Sequence, residues 1–301
     1  MEEFFQQLTN GLAVGGIYAL IALGYTMVYG VLKLINFAHG DLFTIGAYFG
    51  FTLFTAFGLS GAVSGPGAVL LVLVMVMGLV ALIGYLLERV AYRPLRGSSR
   101  LSAVVSALGS SIFFQNAVML IYGAKIQVYP GGIRPSYVLS IMGIDVPLVR
   151  IMMIAASVGL MLALYWFTQR TRIGTAIRAT AIDQGAAKLM GIDVNRVISL
   201  VFMIGPALGG VAGVMVGLYY GQVDFTMGWV YGLKAFTAAI LGGIGNIPGA
   251  MVGGLLLGVI EALGSAYISI AWKDAIAFLV LILILIIRPT GLLGERVADK
   301  I

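Results

Sequence analysis

The chain has 301 residues, of which 60% are hydrophobic and only 10% are charged, and its formal net charge is +6. A soluble domain carries about 25% charged residues, so this composition excludes an ordinary water-soluble protein. The sequence contains no cysteine, which excludes disulfides, zinc–thiolate centres and thiol nucleophiles. With a single histidine, we expect neither a metal site nor a catalytic nucleophile–base set.

Long apolar runs dominate the chain. A helix needs about 20 mostly apolar residues to cross a bilayer, whereas the strands of a membrane barrel alternate polar and apolar residues. We therefore predict an all-α polytopic membrane protein with about nine transmembrane segments (eight to ten), folded as a single transmembrane domain over residues 1–301. The predicted segments lie near residues 11–32, 37–57, 67–87, 101–122, 148–168, 197–219, 229–245, 249–270 and 274–288.

The stretch 31-VLKLINFAHGDLFTIGAYFG-50 places polar side chains between the first two segments. Asn36, His39 and Asp41 would be costly against lipid, so they should face protein, a cavity or the membrane interface. One interpretation is a turn with solvated polar groups. The other is a broken helix beside a solute path, in which these three residues and Phe37 contact the solute or gate its passage.

The glycine-rich stretch 242-GGIGNIPGA-250 is a second candidate break. It lacks the Lys-Ser/Thr pair of a phosphate-binding loop, so we interpret it as an interruption between two membrane segments. We assign four of its residues to the same solute path: Gly242, Gly243, Gly245 and Asn246. In the following segment, Glu261 is an intramembrane carboxylate. It is either functional or a buried partner for a hydroxyl, a backbone group or a cation on a neighbouring helix.

Small residues recur at every fourth position of the sixth segment, at Gly205, Gly209, Gly213 and Gly217. This spacing keeps them on one helix face, and such faces let membrane helices approach closely. The pattern predicts close helix packing, either within this chain or against a second membrane subunit.

The basic connection at about 169–196 is predicted to form two short helices. Asp183 is a candidate N-cap for the second helix, and Gly191 is a candidate stop. A small apolar surface is predicted from Ala186, Ala187, Leu189 and Met190. It would enter a groove of a partner protein or lie on lipid. Coupling to a partner is assigned to Arg178, Ala186, Ala187, Lys188 and Gly191.

The distribution of basic residues predicts an orientation. They lie in short loops, so membrane orientation explains them better than nucleic-acid binding does. Of the 18 Lys and Arg residues, the nine-segment count places thirteen on the side of the 169–196 loop. Because cytoplasmic loops are rich in Lys and Arg, we expect the C-terminus inside and the N-terminus outside. The acidic start MEEFFQQLTN is not expected to be a cleavable signal.

Five stretches spread over nearly the whole chain resemble one known family. They are 18-YALIALGYTMVYGVLKLINFAHGD-41, 88-ERVAYRPLR-96, 173-IGTAIRATAIDQGAAKLMGID-193, 233-LKAFTAAILGGIGNIPGAMVGG-254 and 288-RPTGLLG-294. In these stretches the chain resembles the high-affinity branched-chain amino acid permeases of bacterial ABC importers, specifically the first of their two related membrane subunits. The segment 184-QGAAKLMG-191 is similar to the coupling motif of importer permeases, with Gly185 in place of the usual acidic residue.

The resemblance implies an importer-permease fold with broken helices and a cytoplasmic coupling helix, in the bacterial cytoplasmic (inner) membrane. Its implied partners are a second homologous permease in a heterodimer, two cytoplasmic ATP-binding subunits and a periplasmic substrate-binding protein. ATP and Mg would bind to the ATP-binding subunits, so the chain would be no enzyme and would hold no cofactor. The implied function is translocation of branched-chain amino acids (Leu, Ile, Val). Urea, short amides or other amino acids are alternative solutes, and an ion-coupled secondary transporter is the alternative mechanism.

Overall fold

The computed structural model describes residues 2–60, 66–130, 137–141 and 144–294, and these residues form eleven α-helices and four short strands. The helices are α1 (Glu2–Leu32), α2 (His39–Ser60), α3 (Pro66–Leu87), α4 (Arg100–Tyr122), α5 (Leu148–Arg170), α6 (Arg172–Ile182), α7 (Gln184–Leu189), α8 (Val194–Tyr220), α9 (Met227–Gly242), α10 (Ile247–Tyr267) and α11 (Lys273–Ile287). The strands are β1 (Gln127–Val128), β2 (Val138–Ile141), β3 (Ile144–Pro147) and β4 (Gln222–Val223).

Three short helical turns complete these elements. A π-helical turn (Glu88–Tyr92) and a 3₁₀ turn (Arg93–Leu95) extend α3, and a second 3₁₀ turn (Ile270–Trp272) precedes α11. Eight helices of the described residues are long and apolar enough to cross a membrane. They are α1, α2, α3 with its two turns, α4, α5, α8, α10, and α11 with the turn before it. The chain is therefore an all-α polytopic membrane protein, as predicted.

The seventh predicted segment, 229–245, corresponds to α9, which has only 16 residues and is shorter than a full membrane span. It runs beside α1 in the same direction, because the ring of Tyr231 packs near Tyr18 and the ring of Phe236 near Tyr25. The backbone that follows α9 reaches Gly30 near the C-terminal end of α1. The chain therefore still passes from one end of the molecule to the other between α8 and α10.

Helix α1 forms the centre of the core, and nearly all of its residues from Gly11 onward are buried. Gly15 meets the backbone of α10 at Leu255, and Gly258 of α10 meets the backbone of Gly15. Any side chain at these glycines would overlap the facing backbone, so small residues allow the two helices to touch.

The four glycines of α8 that are spaced four residues apart face neighbours in the same chain. Gly205 lies against Gly24, Gly209 against His39, Gly213 against Phe43, and Gly217 against the ring of Tyr129. Of the two predicted alternatives, these contacts correspond to packing within the chain.

The connection between α4 and α5 contains strands that the sequence pattern did not predict. β1 pairs antiparallel with β4, which follows α8, and β2 pairs antiparallel with β3. The hydroxyl of Tyr129 donates to the carbonyl oxygen of Ala47 at 2.5 Å. The connection is thereby attached to the end of the molecule opposite to α7. The extreme chain ends, Met1 and residues 295–301, lie outside the described residues.

Candidate functional site

The first polar stretch forms a break that re-enters the helix bundle. Helix α1 ends at Leu32, Lys33 adopts a left-handed φ of 53°, and α2 starts at His39. The His39 Nε2 atom lies 3.2 Å from the carbonyl oxygen of Ile21. Because a helix rises 1.5 Å per residue, Ile21 is about 16 Å from the end of α1. Residues 33–38, called here the re-entrant segment, therefore run back along α1, and α2 starts near its middle.

Burial decides between the two interpretations of this stretch. Asn36 is 1% exposed, His39 0% and Asp41 5%. The solvated turn is therefore wrong. Non-helical backbone at membrane depth is tolerated only when it is enclosed by protein or lines a water-filled cavity. The re-entrant segment is enclosed at its inner end, where Asn36 and Ala38 are buried, whereas Lys33 at its start is exposed.

Asn36 is held by a residue from another part of the chain. Its Oδ1 atom accepts a hydrogen bond from the hydroxyl of Tyr92 at 2.6 Å. Its Nδ2 atom is buried and has no hydrogen-bond partner among the described residues. A buried donor without a partner is costly, so a hydrogen bond from this amide to a water molecule or to a passing solute would be favourable.

His39 is enclosed by α1. A carbonyl oxygen can only accept, so the bond to Ile21 places a proton on Nε2 and leaves Nδ1 as an acceptor in a neutral ring. The ring packs edge-on against Tyr25, with centroids 4.8 Å apart, and occupies the space beside Gly24. Within the part of the chain described, Nδ1 is buried without a partner.

A small cavity of about 40 Å³ separates the re-entrant segment from α9. Its wall includes Tyr25, Phe37 and Asp41 on one side and Gly228, Trp229 and Phe236 of α9 on the other. The structure thus brings Phe37 and Asp41 to one space, while Asn36 bonds to Tyr92 and His39 to Ile21. No group of three or more acidic or histidine side chains within the described residues is placed to hold a metal ion.

The second predicted break lies at the C-terminal end of α1, away from this cavity. Gly243 and Gly245 have φ values of 109° and 95°, which favour glycine, and Gly245 lies beside Gly30. Asn246 caps α10 by accepting from the Gly249 N–H at 2.9 Å. The break between α9 and α10 is confirmed, whereas the assignment of these residues to a solute path stays a prediction.

The C-terminal segment 288–294 closes the end of α9. The N–H groups of Leu292 and Leu293 donate to the carbonyl oxygens of Leu241 and Gly242, both at 2.9 Å. The Asn246 side chain donates to the carbonyl oxygen of Leu293 at 2.9 Å. These bonds satisfy carbonyl groups that a helix end leaves unpaired, and they place segment 288–294 beside the C-terminal end of α1.

Glu261 is the buried centre of an ion-pair cluster. Its Oε1 atom lies 2.6 Å from Nζ of Lys234 and 2.9 Å from Nζ of Lys273. Lys234 also pairs with Asp274 at 2.6 Å. These contacts join α9, α10 and α11, so the structure supports the interpretation of Glu261 as a buried partner for a cation.

The 169–196 connection forms the two predicted short helices, α6 and α7. The Asp183 side chain caps α7 by accepting from the N–H groups of Gly185 at 2.7 Å and Ala186 at 3.0 Å. Gly191, with φ of 81°, ends the helical turn. Arg178 on α6 is exposed and donates to the Gln169 side chain at 2.5 Å.

The outer face of α7 differs from the predicted surface at one residue. Leu189 and Met190 are 90% and 82% exposed, and Ala186 and Lys188 are exposed as well, whereas Ala187 is only 3% exposed. Helical spacing explains the correction, because positions 186, 189 and 190 share one face and 187 lies off it. Ala187 therefore belongs to the inner face of α7.

The inner face of α7 is bonded directly to α1. The Gln184 side chain donates to the carbonyl oxygen of Val31 at 2.7 Å. Because a helix leaves its last carbonyl groups unpaired, this bond satisfies one of them. It also places α7 next to the start of the re-entrant segment.

A network around the buried Glu88 was missed by the sequence reasoning. The Glu88 carboxylate forms an ion pair with Arg96 and accepts from the hydroxyl of Ser199 at 2.7 Å. Arg96 also donates to Asn195 Oδ1 at 2.5 Å. Burial lowers the pKa of the Arg96 guanidinium, while the neighbouring Glu88 carboxylate acts in the opposite direction. The only available signal was the charged stretch 88-ERVAYRPLR-96, which was interpreted through membrane orientation and resemblance.

Residues 7–285 match the family described as "Branched-chain amino acid transport system / permease component". The chain belongs to this family. It is 46% identical over 302 residues to the high-affinity branched-chain amino acid transport system permease protein BraD of Pseudomonas aeruginosa, covering 99% of this chain and 98% of BraD. It is 44% identical over 301 residues to the corresponding permease protein LivH of Escherichia coli K12, with coverage of 99% and 98%.

A more distant relative carries a different name. The autoinducer 2 import system permease protein LsrC of Klebsiella pneumoniae is 29% identical over 196 residues, which cover 62% of this chain and 55% of LsrC. The close relatives are permease components of transport systems and not enzymes. The chain is accordingly a multi-pass membrane permease, and a transport system implies further components.

Proposed function

We propose that this chain is the first of two related membrane subunits of an ABC importer that moves branched-chain amino acids across the bacterial cytoplasmic membrane. The observation that carries the proposal is the 46% and 44% identity over nearly the full length of two permeases named for that transport. The proposed partners are a second homologous permease, two cytoplasmic ATP-binding subunits and a periplasmic substrate-binding protein. ATP and Mg belong to the ATP-binding subunits.

The solute path is proposed to run beside the re-entrant segment and α9. Buried groups with unused hydrogen-bonding capacity, Asn36 Nδ2 and His39 Nδ1, support this assignment. The N-terminus of α2 lies in the interior of the bundle. The positive end of its helix dipole would face a polar solute there, as in other interrupted membrane helices. We assign Phe37 and Asp41 to the wall of the path, because both border the cavity against α9.

The described arrangement is proposed to be a closed state of the path. A cavity of about 40 Å³ holds a few water molecules but no amino acid. The backbones of Gly40 in α2 and Gly228 in α9 are in direct contact beside it. Passage of a solute would require these first helical turns to separate, so we assign the gate to this contact.

Coupling is proposed to occur through the outer face of α7. Leu189 and Met190 are large apolar side chains exposed beyond the helix bundle, and Ala186 lies between them on the same face. Such a face fits an apolar groove of an ATP-binding subunit. Arg178 and Lys188 would contribute charge around the contact. Ala187 and Gly191 would keep α7 in place.

The α7 end is proposed to be cytoplasmic. Gln184 and segment 288–294 both lie at the C-terminal end of α1, so the N-terminal end of α1 lies on the opposite side. This arrangement supports the predicted orientation with the N-terminus outside and the C-terminus inside.

The assembly is tested by purification from the native membrane under mild conditions. We expect copurification of a second permease and two ATP-binding subunits. Uptake by the purified chain alone, driven by an ion gradient, would favour a secondary transporter and overturn the importer assignment.

The solute is tested by uptake in reconstituted vesicles that contain the full complex and its binding protein. We expect ATP-dependent uptake of labelled leucine, isoleucine and valine. Uptake of urea and of a short amide is measured as a control, because related permeases such as LsrC serve different import systems. Uptake of urea or a short amide with no uptake of leucine would overturn the amino acid assignment.

A further inference from the structure

Glu88 is a buried charge that has no part in the proposed path. It also lies outside the docking face, as we call the outer face of α7 with Ala186, Leu189 and Met190. Its side chain is fully buried at the start of the π-helical turn. Removing a carboxylate from water is costly unless it is paired and hydrogen-bonded, and Glu88 has both an ion pair with Arg96 and a bond from Ser199. π-Helical turns are rare and occur frequently at functional sites. The turn therefore calls for a functional explanation.

A continuous series of contacts joins the 169–196 connection, called here the coupling connection, to the re-entrant segment through this turn. Asp193, directly after the α7 region, caps α8 by accepting from the N–H of Asn195 at 3.1 Å. Asn195 accepts from Arg96 at 2.5 Å, and Arg96 pairs with Glu88. One turn further along, Tyr92 donates to Asn36 at 2.6 Å. A shift of the α8 N-terminus would therefore displace the partners of the turn that holds Asn36.

The space beside these residues allows such a shift. A cavity of about 340 Å³ is lined by Lys33 and Leu34 of the re-entrant segment, by Tyr92 and Arg96, and by Gln184 of α7. Closely packed interiors resist continuous deformation, whereas groups that border a cavity can move without displacing packed neighbours. The re-entrant segment, the π-helical turn and α7 thus share one space into which each can move.

We propose that Tyr92 and Glu88 are positioning residues. They link the position of Asn36 to the position of the coupling connection. Displacement of α7 and the α8 N-terminus would move the π-helical turn through Arg96 and Glu88. Tyr92 would then pull or release the re-entrant segment. This inference rests on the proposed roles of α7 and Asn36.

The central test is Tyr92→Phe in vesicles that contain the complete complex. This change keeps the ring, which packs against Phe202 with centroids 4.9 Å apart, and removes only the hydroxyl. The readout is solute taken up per ATP hydrolysed, which a purely structural role would leave unchanged. We expect this ratio to fall about fivefold, the factor that corresponds to one hydrogen bond of ~1 kcal/mol. An unchanged ratio would overturn the proposal.

Tyr129→Phe is the matched control, because Tyr129 is also a buried tyrosine, and its hydroxyl donates to Ala47 at the opposite end. The control should retain the wild-type ratio, and an equal fall in both variants would count against a specific link. Ser199→Ala provides a second variant on a different helix. If the contacts act in series, Tyr92→Phe combined with Ser199→Ala should resemble the stronger single change. A product of the two single effects would indicate independent sites and contradict the link.

Leu189→Asp separates this inference from the function on which it rests. If Leu189→Asp uncouples ATP hydrolysis while Tyr92→Phe retains the normal ratio, the docking face stands and the positioning link is wrong. If Leu189→Asp has no effect on stimulated hydrolysis, the proposed docking face is wrong. In that case a lowered ratio in Tyr92→Phe would still support control of Asn36 by the π-helical turn.

Discussion

The imidazole of His39 lies 3.2 Å from the carbonyl oxygen of Ile21, so the start of α2 is fixed to the middle of α1. The ring is fully buried, and it has no carboxylate partner among the described residues. Burying an unpaired charge is very costly, so we interpret the ring as neutral.

His39→Gln tests this interpretation through the pH dependence of uptake. Glutamine retains a side-chain N–H that can donate to Ile21, so we expect most of the uptake to remain. An ordinary histidine would titrate near pH 6.5. Because we interpret the His39 ring as neutral, the pH profile of uptake should be the same in the wild-type protein and in the variant. His39 is the only histidine, so a step lost in the variant alone would identify it as a titrating group and contradict the prediction.

Asn36→Leu tests the path assignment. Leucine preserves the approximate size of the side chain but removes the amide, and it leaves the Tyr92 hydroxyl without its partner. At equal amounts of assembled complex, we expect uptake to fall by about tenfold or more, consistent with a cost of roughly 1–3 kcal/mol for the unpaired group. Asn116→Leu on the exposed face of α4 is the control and should transport normally. Wild-type uptake in Asn36→Leu would remove the residue from the path.

The Glu261 cluster predicts that a double substitution is less harmful than a single one. Lys234→Met leaves the buried Glu261 with Lys273 alone and should lower the unfolding free energy by roughly 1–3 kcal/mol. In Lys234→Met combined with Glu261→Leu, no buried charge of the pair remains, and such replacements are often neutral. Thermal unfolding in detergent measures both effects. A stable double variant with normal uptake would confirm that the ion pairs only join the helices. A stable double variant without uptake would show that Glu261 acts in transport.

Local signals in the sequence were sufficient to predict the helix interruptions. The polar run at 36–41, the glycines after α9, and the Asp183 and Gly191 caps each act over a few residues, so their types and spacing identify them. The depth of the re-entrant segment was not predictable in this way. It depends on the contact between His39 and Ile21, and local periodicity cannot specify the packing of two helices across a turn.

Two other features depend on similar long-range contacts. β1 pairs with β4, almost one hundred positions later in the chain, and each strand has only two residues, too few for an alternating pattern. The network around Glu88 was not predicted, because its partner Ser199 lies on α8, 111 positions later in the chain. The inner position of Ala187 likewise depends on how α7 is oriented against the bundle. Helical spacing separates Ala187 from Ala186, Leu189 and Met190, but it does not specify which of the two faces is buried.

The two alanines of α7 provide a matched pair for the docking face. Ala186 is exposed and Ala187 is buried, so a tryptophan at each position has a different effect. Ala186→Trp should leave the amount of folded permease unchanged and strongly reduce substrate-stimulated ATP hydrolysis by the complex. Ala187→Trp overpacks the inner face and should cost about 1–3 kcal/mol in stability, seen as less folded protein. Normal stimulated hydrolysis in Ala186→Trp would contradict docking through the outer face.

Cysteine labelling in intact spheroplasts tests the orientation. The protein has no native cysteine, so a single introduced thiol is the only reactive site on the chain. Glu3 and Ser98 are both exposed. Glu3 lies at the N-terminal end of α1, and Ser98 lines the cavity next to Gln184 at the other end. The two positions therefore report opposite sides of the membrane.

We expect Glu3→Cys to react with a membrane-impermeant maleimide in intact spheroplasts, and Ser98→Cys to react only after permeabilisation. Both variants should be labelled equally in detergent, which controls for buried or modified thiols. The reverse pattern would invert the orientation and place α7 on the outer side, where no ATP-binding subunit could reach it. Labelling of both cysteines in intact spheroplasts would contradict the positions of these residues at opposite ends of α1, and with them the three passages, α1, α2 and α3, that separate the two positions.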